Sequence, residues 1–242
     1  MKHLRLLVLL ALALGLAASP SRRLAAQVGV RPTRSPYRDI LPGTGWTFMA
    51  GQVGGDGGPT QLSPNSGMSY GLRFDARFSG LLQGFVGLEY LGLERMVLAP
   101  DDSVVNRYSG PIDAPVWIPA IGLQLNLTGP KSWHHIAPFA AFTFGAAINS
   151  KSAEDTTAFD FGTKLLVAPS GGARIMFGQR VHIRVEGIWY MWKMKYPETW
   201  LTEPESEVPA SGDPSNAPIK SIDDLEDWVF TPSLRLGLGI AF

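Results

Sequence analysis

The sequence predicts an all-β protein, an eight-stranded antiparallel transmembrane β-barrel. Three observations carry this reading. Eight segments alternate between large apolar and small or polar residues, charges gather on the face opposite the apolar one, and the connections run alternately long and short. Beyond an N-terminal apolar run, no window of about 18 uninterrupted apolar residues occurs, so helical spans are not expected.

In "MSYGLRFDARFS", Met68, Tyr70, Leu72, Phe74, Ala76 and Phe78 share one face, and Ser69, Gly71, Arg73, Asp75, Arg77 and Ser79 share the other. In the last segment Phe230, Leu234, Leu236, Leu238, Ile240 and Phe242 oppose Thr231, Ser233, Arg235, Gly237, Gly239 and Ala241. The remaining six segments begin near Gly45, Leu82, Ala114, His135, Phe159 and Val181. Within them Val86, Leu88 and Tyr90 oppose Gln83, Gly87 and Glu89, and Ile121, Leu123, Leu125 and Leu127 oppose Gly122, Gln124, Asn126 and Thr128. Phe161, Leu165 and Val167 oppose Gly162, Lys164 and Ala168, while Val181, Ile183 and Val185 oppose His182, Arg184 and Glu186. "GWTFMAGQV" is apolar on both faces and completes the even number needed to close a ring with both ends on one side.

A soluble sandwich or barrel also alternates, but it turns its apolar face toward a core. A ring of about eight strands has a narrow interior, which large Phe, Tyr, Leu and Trp side chains from every strand would overfill. Glycine, alanine and paired charges fit. The apolar face is therefore expected to point outward, into lipid, with Trp46, Trp117, Trp133, Trp189, Trp228 and Tyr90 near the membrane interfaces. The connections agree: with both termini in the periplasm, short periplasmic turns and long extracellular loops fall on opposite sides.

On these segments the chain, from Gly45 to Phe242, resembles the small eight-stranded outer-membrane barrels that include the OmpA transmembrane domain, OmpX and OmpW. The resemblance implies a Gram-negative-type outer membrane, and it gives Phe242 the place of the terminal aromatic read by the barrel-assembly machinery. It also implies contact with outer-membrane lipid and lipopolysaccharide. No peptidoglycan-binding domain is expected after the barrel.

Arg73, Asp75, Arg77, Glu89, Lys164, Arg174, Arg184, Glu186 and Arg235 are expected to form a polar network in the lumen, because unpaired buried charges cost several kcal/mol. Asp160 is a further acidic candidate. The expected consequence is a charge-plugged, narrow lumen with a structural or surface-interaction role. A second reading uses Leu91, Leu93, Val116, Ile118, Ile188, Tyr190 and Trp192, which turn inward if alternation continues and would then make an apolar upper-lumen pocket. By resemblance to OmpW-like barrels, such a pocket would bind or pass small hydrophobic molecules. A bulge near Gly92 or Pro119 would reverse the phase.

Catalysis is not expected. The His-x-Ser motif of lipid-A deacylases is missing, and His134, His135 and His182 map to the periplasmic end, so Ser170 and Ser233 have no placed general base. There is no cysteine for a disulfide, a thiolate metal site or a nucleophile. No cofactor, metal or nucleic-acid partner is expected, and the barrel is expected to be a monomer. The last loop carries nine acidic residues against Lys220, and Ser221 and Asp224 are spaced as a helix cap.

Lys2, His3 and Arg5 before "LLVLLALALGLAA" read as a secretory signal, cleaved after Ala26 or Ala18. Removal through Ala26 takes Lys2, Arg5, Arg22 and Arg23 and moves the formal charge from zero to minus four. Residues 27–44 are then a flexible periplasmic segment. A short Ser-Gly extension after Phe242 is expected to slow insertion, followed as the appearance of heat-modifiable protein, more than it weakens the folded barrel.

Overall fold

The computed structural model describes residues 35–40, 44–149, 155, 159–203 and 215–242. The expected signal, with its cleavage positions Ala18 and Ala26, lies outside the described residues, as do most of the 27–44 segment and the middle of the acidic loop. The barrel belongs to the unit Tyr37–Phe242.

Its strands are β1 Tyr37–Asp39, β2 Gly45–Val53, β3 Ser66–Arg77, β4 Leu82–Leu98, β5 Tyr108–Asp113, β6 Val116–Asn126, β7 Lys131–Trp133, β8 Ile136–Asn149, β9 Thr163–Phe177, β10 Val181–Lys195 and β11 Glu226–Ala241. Eight of them close an antiparallel ring in the order β2, β3, β4, β6, β8, β9, β10, β11. The ring is sealed where β11 pairs back onto β2, with Leu236 opposite Ala50 and Leu238 opposite Phe48. Closure leaves no strand edge, the condition for a sheet to sit in hydrocarbon.

Within the stretch expected to be flexible, Tyr37–Asp39 pairs with β7, and Ile40 packs against Ala137 and Met176. At the other rim β5 extends β4 beyond the ring. These three short strands carry no readable periodicity of their own. The connections 78–81, 127–135 and 178–180 lie at one rim, together with the start of β2 and the end of β11; 54–65 and 99–115 lie at the other, as do the end of β8, the start of β9, the end of β10 and the start of β11. Gly178, at φ 74, supplies the left-handed residue that turns β9 into β10.

Outward positions form an apolar band. Leu82, Val86, Leu88 and Tyr90 on β4 and Val181, Ile183, Val185, Trp189 and Met191 on β10 face out, and the first outward charges are Glu94 and Lys193. Each stretch is about 9–11 residues, the length of a tilted strand crossing a bilayer. Outward aromatics pair across strands, Trp46 with Phe74 and Tyr90 with Trp117, at centroid distances of 4.9 Å. Exposed Trp133 sits at the short-turn rim; Trp189 and Trp228 face out on β10 and β11.

One expected face is corrected. Phe161, grouped with the lipid-facing Leu165 and Val167, is buried in the interior. Strand β9 starts only at Thr163, and Gly162, at φ 61, breaks the alternation just before it.

The protein has no cysteine, which gives a clean test of closure. Ala50→Cys with Leu236→Cys, opposite on β2 and β11, should oxidise to an intramolecular disulfide, read as retained fast mobility on a boiled, non-reducing gel. The shifted pair Ala50→Cys with Leu234→Cys should not.

Candidate functional site

Alternation decides which side chains enter the ring, and register decides which of them meet. Arg73 on β3 donates through Nη2 to Asp75 Oδ1 at 2.5 Å and to Gln124 Oε1 at 2.7 Å. Gln124 Oε1 also accepts from Arg184 Nη1 at 2.8 Å, so one amide on β6 joins guanidiniums from opposite walls. Arg184 grips Glu186 twice, through Nε at 3.0 Å and Nη2 at 2.9 Å. Arg235, directly across from Glu186 in the β10–β11 ladder, donates through Nε to Glu186 Oε2 at 3.0 Å and through Nη1 to Glu89 Oε1 at 2.5 Å. Ser170 Oγ donates to Glu186 Oε1 at 2.7 Å. Arg174 is held by neutral acceptors, Asn126 Oδ1 at 2.7 Å and Gln83 Oε1 at 3.3 Å.

Seven of the nine expected network residues thus meet in one hydrogen-bonded assembly. Lys164 stands apart near the long-loop rim, 5.9 Å from the Phe161 ring centroid. Arg77 faces inward at the short-turn rim, where its buried Nε and Nη1 find no partner among the described residues. Asp160 accepts from the Gly162 N–H and shapes the loop instead.

Sequence reasoning left several members out of the network, although it placed Gln83, Gln124 and Asn126 on the inward face. Gln83, Gln124 and Asn126 are the amide hub of the assembly. Phe85 and Phe139 also point inward, with Arg73 stacked 3.6 Å from the first ring centroid and Arg184 3.8 Å from the second. Room for the rings comes from glycine: a Cβ on Gly122 would lie 2.2 Å from Phe85, and one on Gly172 3.0 Å from Phe139. The inward phase of β4, β6 and β8 was the available signal.

Above the charges the lining becomes apolar. Alternation continues through Gly92 and Pro119 without reversal, so Leu91, Leu93, Val116, Ile118, Ile188, Tyr190 and Trp192 all turn inward and are at most 2 % exposed. They pack with one another and with Phe159, Phe161, Tyr196, Trp200, Ile219 and Leu225 from the loops. Tyr190 joins the layers: its hydroxyl donates to Glu89 Oε2 at 2.7 Å and accepts from Arg235 at 3.2 Å.

The loops are latched to this core. Trp192 Nε1 donates to Ser63 Oγ at 2.8 Å, and Thr60 Oγ1 donates to the Tyr196 hydroxyl at 2.8 Å. Burial raises the Tyr196 phenol above its ordinary pKa. Arg95 pairs with Asp155. Ser221 caps a 3-10 turn over Ile222–Leu225 by accepting from the Asp223 N–H, so the expected cap closes one residue earlier than Asp224.

Ring and apolar band define the class: an eight-stranded antiparallel transmembrane β-barrel. No family model matches the chain, and no curated protein does. Among solved structures it is similar to Neisserial surface protein A (NspA), at 11% identity and a TM-score of 0.47, over 86% of this chain and 98% of that one. It is also similar to the outer membrane protein OprG from Pseudomonas aeruginosa, at 8% identity and a TM-score of 0.46, over 86% of this chain and 100% of that one. The class is carried by the chain's own strand pairing.

Glu186→Gln leaves Arg184 and Arg235 without a shared carboxylate, and breaking a buried pair in this way costs about 3–5 kcal/mol. Denaturant unfolding of detergent-folded protein should show that loss. Lys193→Ala, which removes the exposed contact to Glu226, should shift the same transition little.

Proposed function

We propose that the chain is a non-catalytic outer-membrane barrel whose lumen is closed to solutes and whose working surface is its long loops. The observation that carries this is the hydrogen-bonded assembly running from Asp75 and Arg73 through Gln124, Arg184 and Glu186 to Arg235 and Glu89. It draws on β3, β4, β6, β10 and β11, so its side chains bridge the ring from wall to wall. An ion crossing the ring would have to displace charge-assisted hydrogen bonds in a low-dielectric interior.

The outer-membrane assignment rests on the apolar band together with the signal-like N-terminus, which directs the chain across the inner membrane. Short turns then face the periplasm, and the long loops face outward, toward lipopolysaccharide and external partners. The barrel-assembly machinery is the partner during insertion, and the barrel acts as a monomer. The hydroxyls considered for catalysis serve the wall: Ser170 binds Glu186, and Ser233 Oγ donates to the Gln52 carbonyl at 2.9 Å.

The test is electrical. Detergent-folded protein added to a planar bilayer should give no discrete conductance steps under an applied voltage, although the same sample shows the gel shift of a folded barrel. Regular unitary steps from the wild-type chain would overturn the closed-lumen reading. Uptake of a small hydrophobic solute by loaded vesicles would favour passage through the upper lumen instead.

A further inference from the structure

The lower interior holds more positive charge than its own acids neutralise. Five guanidinium groups, on Arg73, Arg77, Arg174, Arg184 and Arg235, share it with three carboxylates, on Asp75, Glu89 and Glu186. Every carboxylate is engaged: Asp75 by Arg73, Glu186 by Arg184 and Arg235, and Glu89 by Arg235. Arg77 and Arg174 therefore have no ion-pair partner among the described residues. Arg174 is 6% exposed, and its Nε lacks a hydrogen-bond partner, as do Nε and Nη1 of Arg77. A buried cation left uncompensated costs several kcal/mol.

These two side chains line the same cavity at the short-turn rim. Thr47, Asp75, Gln83 and His182 are also part of its wall. The space open to the centre of a water-sized sphere is about 20 Å³, which suits one body of roughly that size. A single water would satisfy an orphaned N–H but would leave the charge excess untouched. Asp75, the acid nearest the site, is already taken up through Oδ1 by Arg73 and through Oδ2 by the Thr47 hydroxyl, at 2.8 and 3.5 Å.

We propose that this cavity is a binding site for one small monovalent anion of chloride size, held between Arg77 and Arg174 beside His182. Size and charge together set the class. A halide accepts several N–H donors from any direction and brings one negative charge, whereas a tetrahedral oxyanion or a lipid phosphate exceeds the space. The ion reaches the site from the short-turn rim, where Gly45 and Ala241 border the cavity and Arg77 is only half-buried. Bound there, it cuts the excess of two positive charges in the interior to one.

Bromide is the probe, because it substitutes for chloride and scatters anomalously. Full-length protein is folded in detergent with chloride replaced by gluconate at constant ionic strength, and then titrated with bromide. Crystals grown in bromide should show an anomalous peak within hydrogen-bonding reach of Arg77 and Arg174. In solution the thermal midpoint of the wild type should rise and saturate with bromide, as a ligand specific to the folded state requires. Arg77→Gln should need at least tenfold more bromide for the same shift, and sulfate at equal ionic strength should give no saturable rise. Absence of the wild-type crystal peak overturns the proposal whether or not the variant folds, and so does an identical bromide response in wild type and variant.

Discussion

Closure of the ring between β11 and β2 is the constraint on which the rest depends. In hydrocarbon no water is present to satisfy a free backbone N–H or C=O, so a sheet with an open edge would be unstable there. Once eight strands are joined end to end, the interior diameter is fixed and small. Alternation then has an unavoidable consequence. Every second residue of every strand enters a space that must be filled without clashes, and its partner faces lipid.

The lower and middle interior solve that packing problem with charge. Guanidiniums are flat, and here two of them lie over inward phenyl rings, so an aromatic and a cation share one layer of the lumen. Glycines directly across the ladder from the rings make this possible, since a β-carbon at Gly122 or Gly172 would intrude on Phe85 or Phe139. The amides of Gln83, Gln124 and Asn126 accept from arginines and donate among themselves, spreading positive charge over neutral acceptors where carboxylates run out. Strength and shortage are thus part of the same arrangement: the middle of the lumen is fully ion-paired, while the short-turn rim carries an excess of cations.

Toward the long loops the same ring is filled differently. Tyr190 is the transition, with its hydroxyl in the ionic layer and its ring 6.5 Å from Trp192, centroid to centroid, in the apolar one. Apolar side chains from the wall continue without a break into the loop residues Phe159, Phe161 and Trp200. Two hydrogen bonds, from Trp192 to Ser63 and from Thr60 to Tyr196, then fasten the first long loop to this core. The long connections therefore begin from a packed base.

Much of this was legible in the sequence, because a period of two assigns side chains to faces before any strand is paired. That pattern placed Arg235, Glu186 and Arg73 inside and Leu234, Leu236 and Leu238 outside, and it carried Leu91, Ile118 and Trp192 inward near the long-loop rim. It failed at Phe161, where one left-handed glycine shifts the phase, and it could not register β1, β5 and β7, which are too short to show a period. What only the tertiary structure decided was contact. Phase says that Gln124 and Arg184 both face inward; ring closure and strand register make them hydrogen-bond across the lumen, and leave Arg77 and Arg174 without a carboxylate. The sequence by itself determined sides, because alternation is local to a strand; neighbours were decided by the closed ring, because register across sixty or more residues is set by pairing between strands that are distant in the chain.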